Sequence, residues 1–181
     1  LLPEDFELPP GGLNIRWPDP PLDQEMRLHQ YAVRAAVAFA RANRIDRTVV
    51  DSPRARLGIV TTGKSYLDVL QALEYLGISA SDAREIGIRV YKIAMPWPLE
   101  PEGVREFAEG LEEILVVEEK RQVVEYQLKE QLYNWRDDVR PRVVGKFDEK
   151  GEWVRPHGDW LLPAVSELTP AMIARVIAQR I

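Results

Sequence analysis

Few side chains in this sequence are equipped for chemistry, and the best of them stand in three places. The first is Gly58-Ile59-Val60-Thr61-Thr62-Gly63-Lys64-Ser65, which fits the phosphate-loop pattern G-x-x-x-x-G-K-[ST]. In such a loop an apolar strand precedes the first glycine, and successive backbone N–H groups wrap the phosphates while the lysine and hydroxyl meet phosphate and Mg²⁺. Here the apolar residues fall elsewhere. Asp51, Pro53, Arg54 and Arg56 precede Gly58 and make a poor buried strand, whereas Leu57, Ile59 and Val60 flank it. Gly58 therefore reads as strand, with the turn at Thr61 to Ser65 and a helix directly after. A loop that opens a helix still presents free N–H groups and the positive end of a dipole, so an anion could dock there with Lys64 and Ser65 as its contacts. The second place is Glu118-Glu119, followed by Lys120-Arg121. Adjacent carboxylates could move a proton or hold Mg²⁺, but nothing else completes a site, and the plainer expectation is an ionised edge paired with Lys120, Arg121 or an incoming basic surface. The third is Trp97, set between Pro96 and Pro98 as a rigid aromatic knob and expected to be a packing anchor, internal or against another domain.

Composition removes most other chemistries. The absence of cysteine excludes disulfides, a thiol nucleophile and cysteine-ligated iron or zinc within these 181 residues. Only His29 and His157 remain as imidazoles, without the spacing of a metal site. A net charge of -5 gives no footprint for nucleic acid. The 45% hydrophobic and 29% charged content is that of a globular protein; no apolar run reaches a membrane span, and the start lacks a signal peptide, so a cytoplasmic location is expected. The chain opens on Leu1, which suggests a piece of a larger protein.

Two segments follow from the positioning elements. Over residues 1–45, prolines and glycines through Pro21 imply an extended arm; Asp23 is expected to cap a helix running to about Asn43. Met26, Val33, Val37 and Ala40 would form its apolar face, and Arg27, Arg34 and Arg41 a solvated row. Over residues 46–181, apolar runs alternate with helical patterns, as in a parallel sheet covered on both faces. Strands are expected at Leu57 to Val60, Ile88 to Ala94, Ile114 to Val117 and Arg142 to Phe147. Helices are expected from Ser65 to Leu76, over Ser81 to Glu85, from Pro101 to near Gly110, along the Val124, Leu128, Leu132 and Trp135 face, and from Pro170 to Arg180 behind a Thr169 cap. Glu125 and Lys129 would pair on the outer side of the fourth of these. Gly151 to Trp153 reads as a turn and short extension. In such sheets ligands gather at the carboxyl ends of the strands, which points to the loops Thr61 to Ser65, Met95 to Leu99 and Glu118 to Arg121. A freestanding nucleotide-binding α/β domain using Gly58 to Ser65 is the alternative function; Glu118, where the second phosphate-loop motif has Asp, weakens it.

Several long phrases carry a family resemblance. GIVTTGKSYLDVLQALEYLGI, RVYKIAMPWPLEPEGVREFAEGLEEILVVEEKR, QLKEQLYN, RPRVVGKFDEKG and LLPAVSELTPAMIARVIA, in this order and spacing, resemble the middle region of indolepyruvate ferredoxin oxidoreductases, and GGLNIRWPDPPLDQEMRL and AFARANRIDR extend the likeness to about Gly11. The resemblance implies a three-layer αβα domain with a mostly parallel sheet, similar to the transketolase carboxyl-terminal domain, carrying an N-terminal extended arm and helix. It implies a parent enzyme that oxidatively decarboxylates aryl pyruvates on thiamine diphosphate with Mg²⁺, passes electrons through iron-sulfur clusters to ferredoxin and forms an acyl-CoA. It further implies a homodimeric parent in which this region packs beside the cofactor-binding domains and holds no cofactor itself. No catalytic motif of the family falls here. Lys64, Ser65, Trp97, Glu118 and Glu119 are expected only as contact residues.

Overall fold

The structure, a computed structural model, describes residues 1–14, 17–153 and 160–181. His157 lies outside the described residues. The chain forms two compact units, Leu1–Ile45 and Asp46–Ile181.

In the first unit the helix begins at Pro21, whose fixed φ suits a first helical position, so Asp23 lies inside the opening turn and not at the cap. Helix α1 (Pro21–Met26) passes through a π-helical stretch, Arg27–Ala32, into α2 (Val33–Asn43). Met26 is exposed, and the buried apolar positions are Ala35 and Ala40. The expected solvated arginine row is also corrected at its first member. Arg27 is buried, and its Nη1 donates to the carbonyls of both Pro10 at 3.1 Å and Gly12 at 2.6 Å, satisfying an arm whose prolines cannot form a ladder. Arg34 and Arg41 stay exposed.

The second unit is built on a five-stranded sheet in the order β1-β3-β2-β4-β5, formed by β1 (Arg47–Val50), β2 (Leu57–Thr62), β3 (Ile88–Ile93), β4 (Glu113–Val117) and β5 (Arg142–Val144). All neighbours run parallel except β1, which is antiparallel to β3 at the edge. Sequence reasoning missed β1 because only Val50 reaches the core and the pairing slips between Thr48 and Val50. At the other edge the expected Arg142 to Phe147 strand stops at Val144, since Gly145 packs against the Glu125 carboxylate and bonds locally to the Phe147 carbonyl.

Side chains alternate across the central strands and build a core on each face. Ile59, Val90, Leu115 and Val117 face α3 (Lys64–Tyr75), α4 (Ala80–Ile86) and α7 (Pro170–Ala178). Val60, Tyr91, Ile114 and Val116 face α5 (Pro101–Ala108) and α6 (Val124–Leu132). The expected three-layer, mostly parallel architecture is the one observed. Gly58 stands inside β2, where a Cβ would press into the Leu111 side chain and come within 2.8 Å of the Phe107 ring. Close packing, not a phosphate turn, requires that glycine.

Candidate functional site

The carboxyl ends of the parallel strands meet the loops that the sequence nominated. Strand β2 continues through Thr62 and turns at Gly63, whose φ of +56° lies in the left-handed region open to glycine, and α3 begins at Lys64. The strand, tight turn and helix start are as read, with the strand two residues longer. Lys64 turns onto its own surroundings: its Nζ donates to Asp68 at 2.8 Å and to the Leu168 carbonyl at 3.2 Å, and stands 3.8 Å from Glu119. The Asp68 contact holds the ammonium's pKa above its ordinary value. Ser65 is fully buried at the helix start.

Glu118 and Glu119 part company immediately after β4. Glu118 is buried, and its carboxylate accepts N–H bonds from Val123 at 3.0 Å, Val124 at 2.9 Å and Glu125 at 3.0 Å. It supplies the negative charge and acceptors that the first turn of α6 lacks, since Val123 at the cap position has no polar side chain. Glu119 accepts from the Leu168 N–H at 3.1 Å, so the Lys64–Glu119 pair grips both backbone groups of Leu168 ahead of α7. Of the partners expected for this edge, Lys120 and Arg121 are therefore corrected. Lys120 donates instead to the Ser166 carbonyl at 2.9 Å, and Arg121 forms a two-pronged pair with Glu152 at 2.8 and 2.9 Å that lowers the Glu152 pKa.

Two charged residues of this edge escaped sequence reasoning. Lys146 is 1% exposed, with its Nζ donating to the carbonyls of Glu118 and Pro163. Burial lowers its pKa, against the opposing pull of Glu118, Glu119 and Glu125. Glu125, assigned from periodicity to an outer face, is also buried; it accepts from Lys129 at 2.6 Å, keeping the expected pair, and from the Lys146 N–H at 3.1 Å. A lysine within an apolar run, Val143 to Phe147, was the available signal. Asp46 is the other. Its Oδ1 accepts from the N–H groups of Ala94 at 2.6 Å and Met95 at 3.2 Å, its Oδ2 is buried without a hydrogen-bond partner, and burial raises its pKa. No spacing rule marks such a residue.

Trp97 is placed differently from the charged candidates. It is 63% exposed, so it does not anchor the interior of its own unit. Toward α4, a separate open cavity of about 370 Å³ is lined mainly by Val50, Leu70, Leu73, Ile78 and Ala83. Among the described residues there is no group of three or more potential metal ligands, and no helix long and apolar enough to cross a membrane.

These features define an open α/β domain whose carboxyl edge is closed by its own ion pairs and helix caps. The chain belongs to the indolepyruvate ferredoxin oxidoreductase middle domain family, whose model matches residues 46–181. It is 36% identical over 126 residues to the indolepyruvate oxidoreductase subunit IorA of Pyrococcus abyssi (strain GE5 / Orsay), covering 69% of this chain and 16% of that relative. The same subunit of Thermococcus kodakarensis (strain ATCC BAA-918 / JCM 12380 / KOD1) is 31% identical over 125 residues, with 69% and 16% covered. The chain thus spans less than a fifth of the length of these curated relatives. Among solved structures, a 2-oxoglutarate:ferredoxin oxidoreductase from Magnetococcus marinus, with 2-oxoglutarate, coenzyme A and succinyl-CoA bound, has a similar fold at a TM-score of 0.50 and 16% identity, covering 88% of this chain and 23% of that one.

Proposed function

We propose that this chain is a noncatalytic assembly domain of a thiamine-diphosphate-dependent indolepyruvate:ferredoxin oxidoreductase. The parent enzyme, cytoplasmic and homodimeric, decarboxylates an aryl pyruvate oxidatively, passes electrons through iron-sulfur clusters to ferredoxin and forms an acyl-CoA. The observation that carries this reading is the internal commitment of the carboxyl-edge charges. Glu118 already accepts three N–H bonds, Glu119 holds Leu168, and Lys64 is engaged by Asp68 and Leu168. Thiamine diphosphate bound through Mg²⁺ needs oxygen donors free to enter the metal's octahedral shell and cationic groups free to meet phosphate. The residues at this edge do not fit that group, so no step of the reaction is routed through them. The cofactors and the reacting centre belong, on this reading, to the other domains of the polypeptide.

Calorimetry of the 181-residue chain with thiamine diphosphate and Mg²⁺, and separately with Mg²⁺-ATP, tests the assignment. We expect no heat of binding from either. Saturable, Mg²⁺-dependent binding of thiamine diphosphate would overturn the noncatalytic reading. Binding of ATP that is lost in Lys64→Ala would restore the phosphate-loop alternative, although residues 58–62 lie in β2 and leave no loop of the required length.

A further inference from the structure

Trp97 projects from a segment held on both sides. Upstream, Asp46 accepts from Ala94 and Met95. Downstream, Gln127 donates through Nε2 to the carbonyls of Pro96 at 2.8 Å and Val123 at 2.9 Å and accepts from the Leu99 N–H at 2.8 Å, while Gln131 donates to the Leu99 carbonyl at 2.9 Å. Pro96 and Pro98 remove further backbone freedom. One amide of Gln127 thereby ties the Trp97 strap to the start of α6, where Val123 and Tyr126 are each 48% exposed. The structure thus holds an exposed indole in a backbone geometry tied to the start of α6, which carries an exposed valine and an exposed tyrosine whose hydroxyl meets Glu152 at 3.4 Å.

We propose that Trp97, with Val123 and Tyr126, is the surface through which this unit docks against another domain of the same longer polypeptide, the indole entering an apolar cleft rimmed by basic side chains. This rests on the assembly reading above. Tryptophan and tyrosine concentrate binding energy at interface centres, and a strap already ordered by three side-chain hydrogen bonds to Gln127 and Gln131 loses little freedom on docking. Two observations choose the occupant. The curated relatives extend far beyond the matched segment, this chain covering 16% of the Pyrococcus abyssi subunit, so a longer polypeptide offers further surfaces. Arg121 and Glu152 at the Tyr126 hydroxyl neutralise each other, leaving the net charge of -5 and Glu130, one helical turn beyond Tyr126, to set like charges against each other if two copies meet here and to complement a basic rim.

Hydroxyl-radical footprinting read by mass spectrometry tests this on two proteins, the 181-residue chain and the product of the complete reading frame. Trp97 and Tyr126 should be oxidised readily in the chain alone and about tenfold more slowly in the longer protein, as expected for residues at a desolvated interface centre. In the longer protein, Trp97→Ala should restore Tyr126 oxidation, while Trp97→Phe retains protection. Equal oxidation of Trp97 in both proteins would overturn the docking surface and leave the assembly reading standing. Protection that rises with concentration in the short chain would overturn the proposal in favour of a second copy. A reading frame containing no other domain would overturn the assembly reading itself.

Discussion

At the scale of single residues, the buried charges at the sheet edge act on folding. Glu118→Ala removes three charge-assisted acceptors from the start of α6 and one of the carboxylates that offset Lys146. A loss of about 1.5 to 3 kcal/mol is expected from hydrogen bonds to a charged group, measured as a fall in urea midpoint. Charge reversal at Glu118 should for the same reason act on stability before assembly. Lys64→Ala provides the contrast. Half the lysine side chain is in solvent, so the midpoint should stay within experimental scatter, and a clear drop would show that the Leu168 clasp is structural. Gly58→Ala should destabilise by about 1 to 3 kcal/mol through overpacking against Leu111 and Phe107; an unchanged midpoint would mean those side chains move aside freely. Asp46 predicts a pH effect. Its folded pKa is raised, so between the ordinary carboxylate value and the higher folded value the native state binds more protons, and its contribution to stability falls as pH rises through that window. Asp46→Asn should lessen that fall while keeping an oxygen acceptor for Ala94 and Met95, as comparison of urea midpoints at pH 4 and pH 7 would reveal.

At the scale of elements, β4 is the test of the topology. It lies between β2 and β5 with Leu115 fully buried, and Leu115→Ala should cost about 2 to 5 kcal/mol. A negligible shift in urea midpoint would mean that the strand is not central. The sequence made this strand legible because one buried on both faces has no polar alternation to blur its limits. It made the helix starts at Pro101 and Pro170 legible because proline and a side-chain acceptor, Glu100 or Thr169, mark a first turn locally. What depends on distant partners was missed: strand β1 is largely exposed and forms only against β3, and although α6 was read correctly, its cap from Glu118 and the inward face of Glu125 beside Lys146 were not.

At the scale of the whole molecule, residues 46–181 combine a carboxyl edge satisfied from within and an aromatic strap left in solvent, the two features on which the assembly proposal rests. Its family was legible from several long phrases in a fixed order, and the family model matches residues 46–181. Local chemistry likewise determined the strand at Gly58, the turn at Gly63 and the exclusion of thiol chemistry, since each depends on neighbours in the chain or on composition alone. Which charges were free was decided only by the tertiary structure. Glu118 and Glu119 are adjacent in sequence, yet one is bound by the start of α6 and the other by Leu168, 49 residues away. Burial and hydrogen bonding depend on what packs against a side chain: a nearby turn folds back onto Glu118, whereas Glu119 meets a segment from far along the chain.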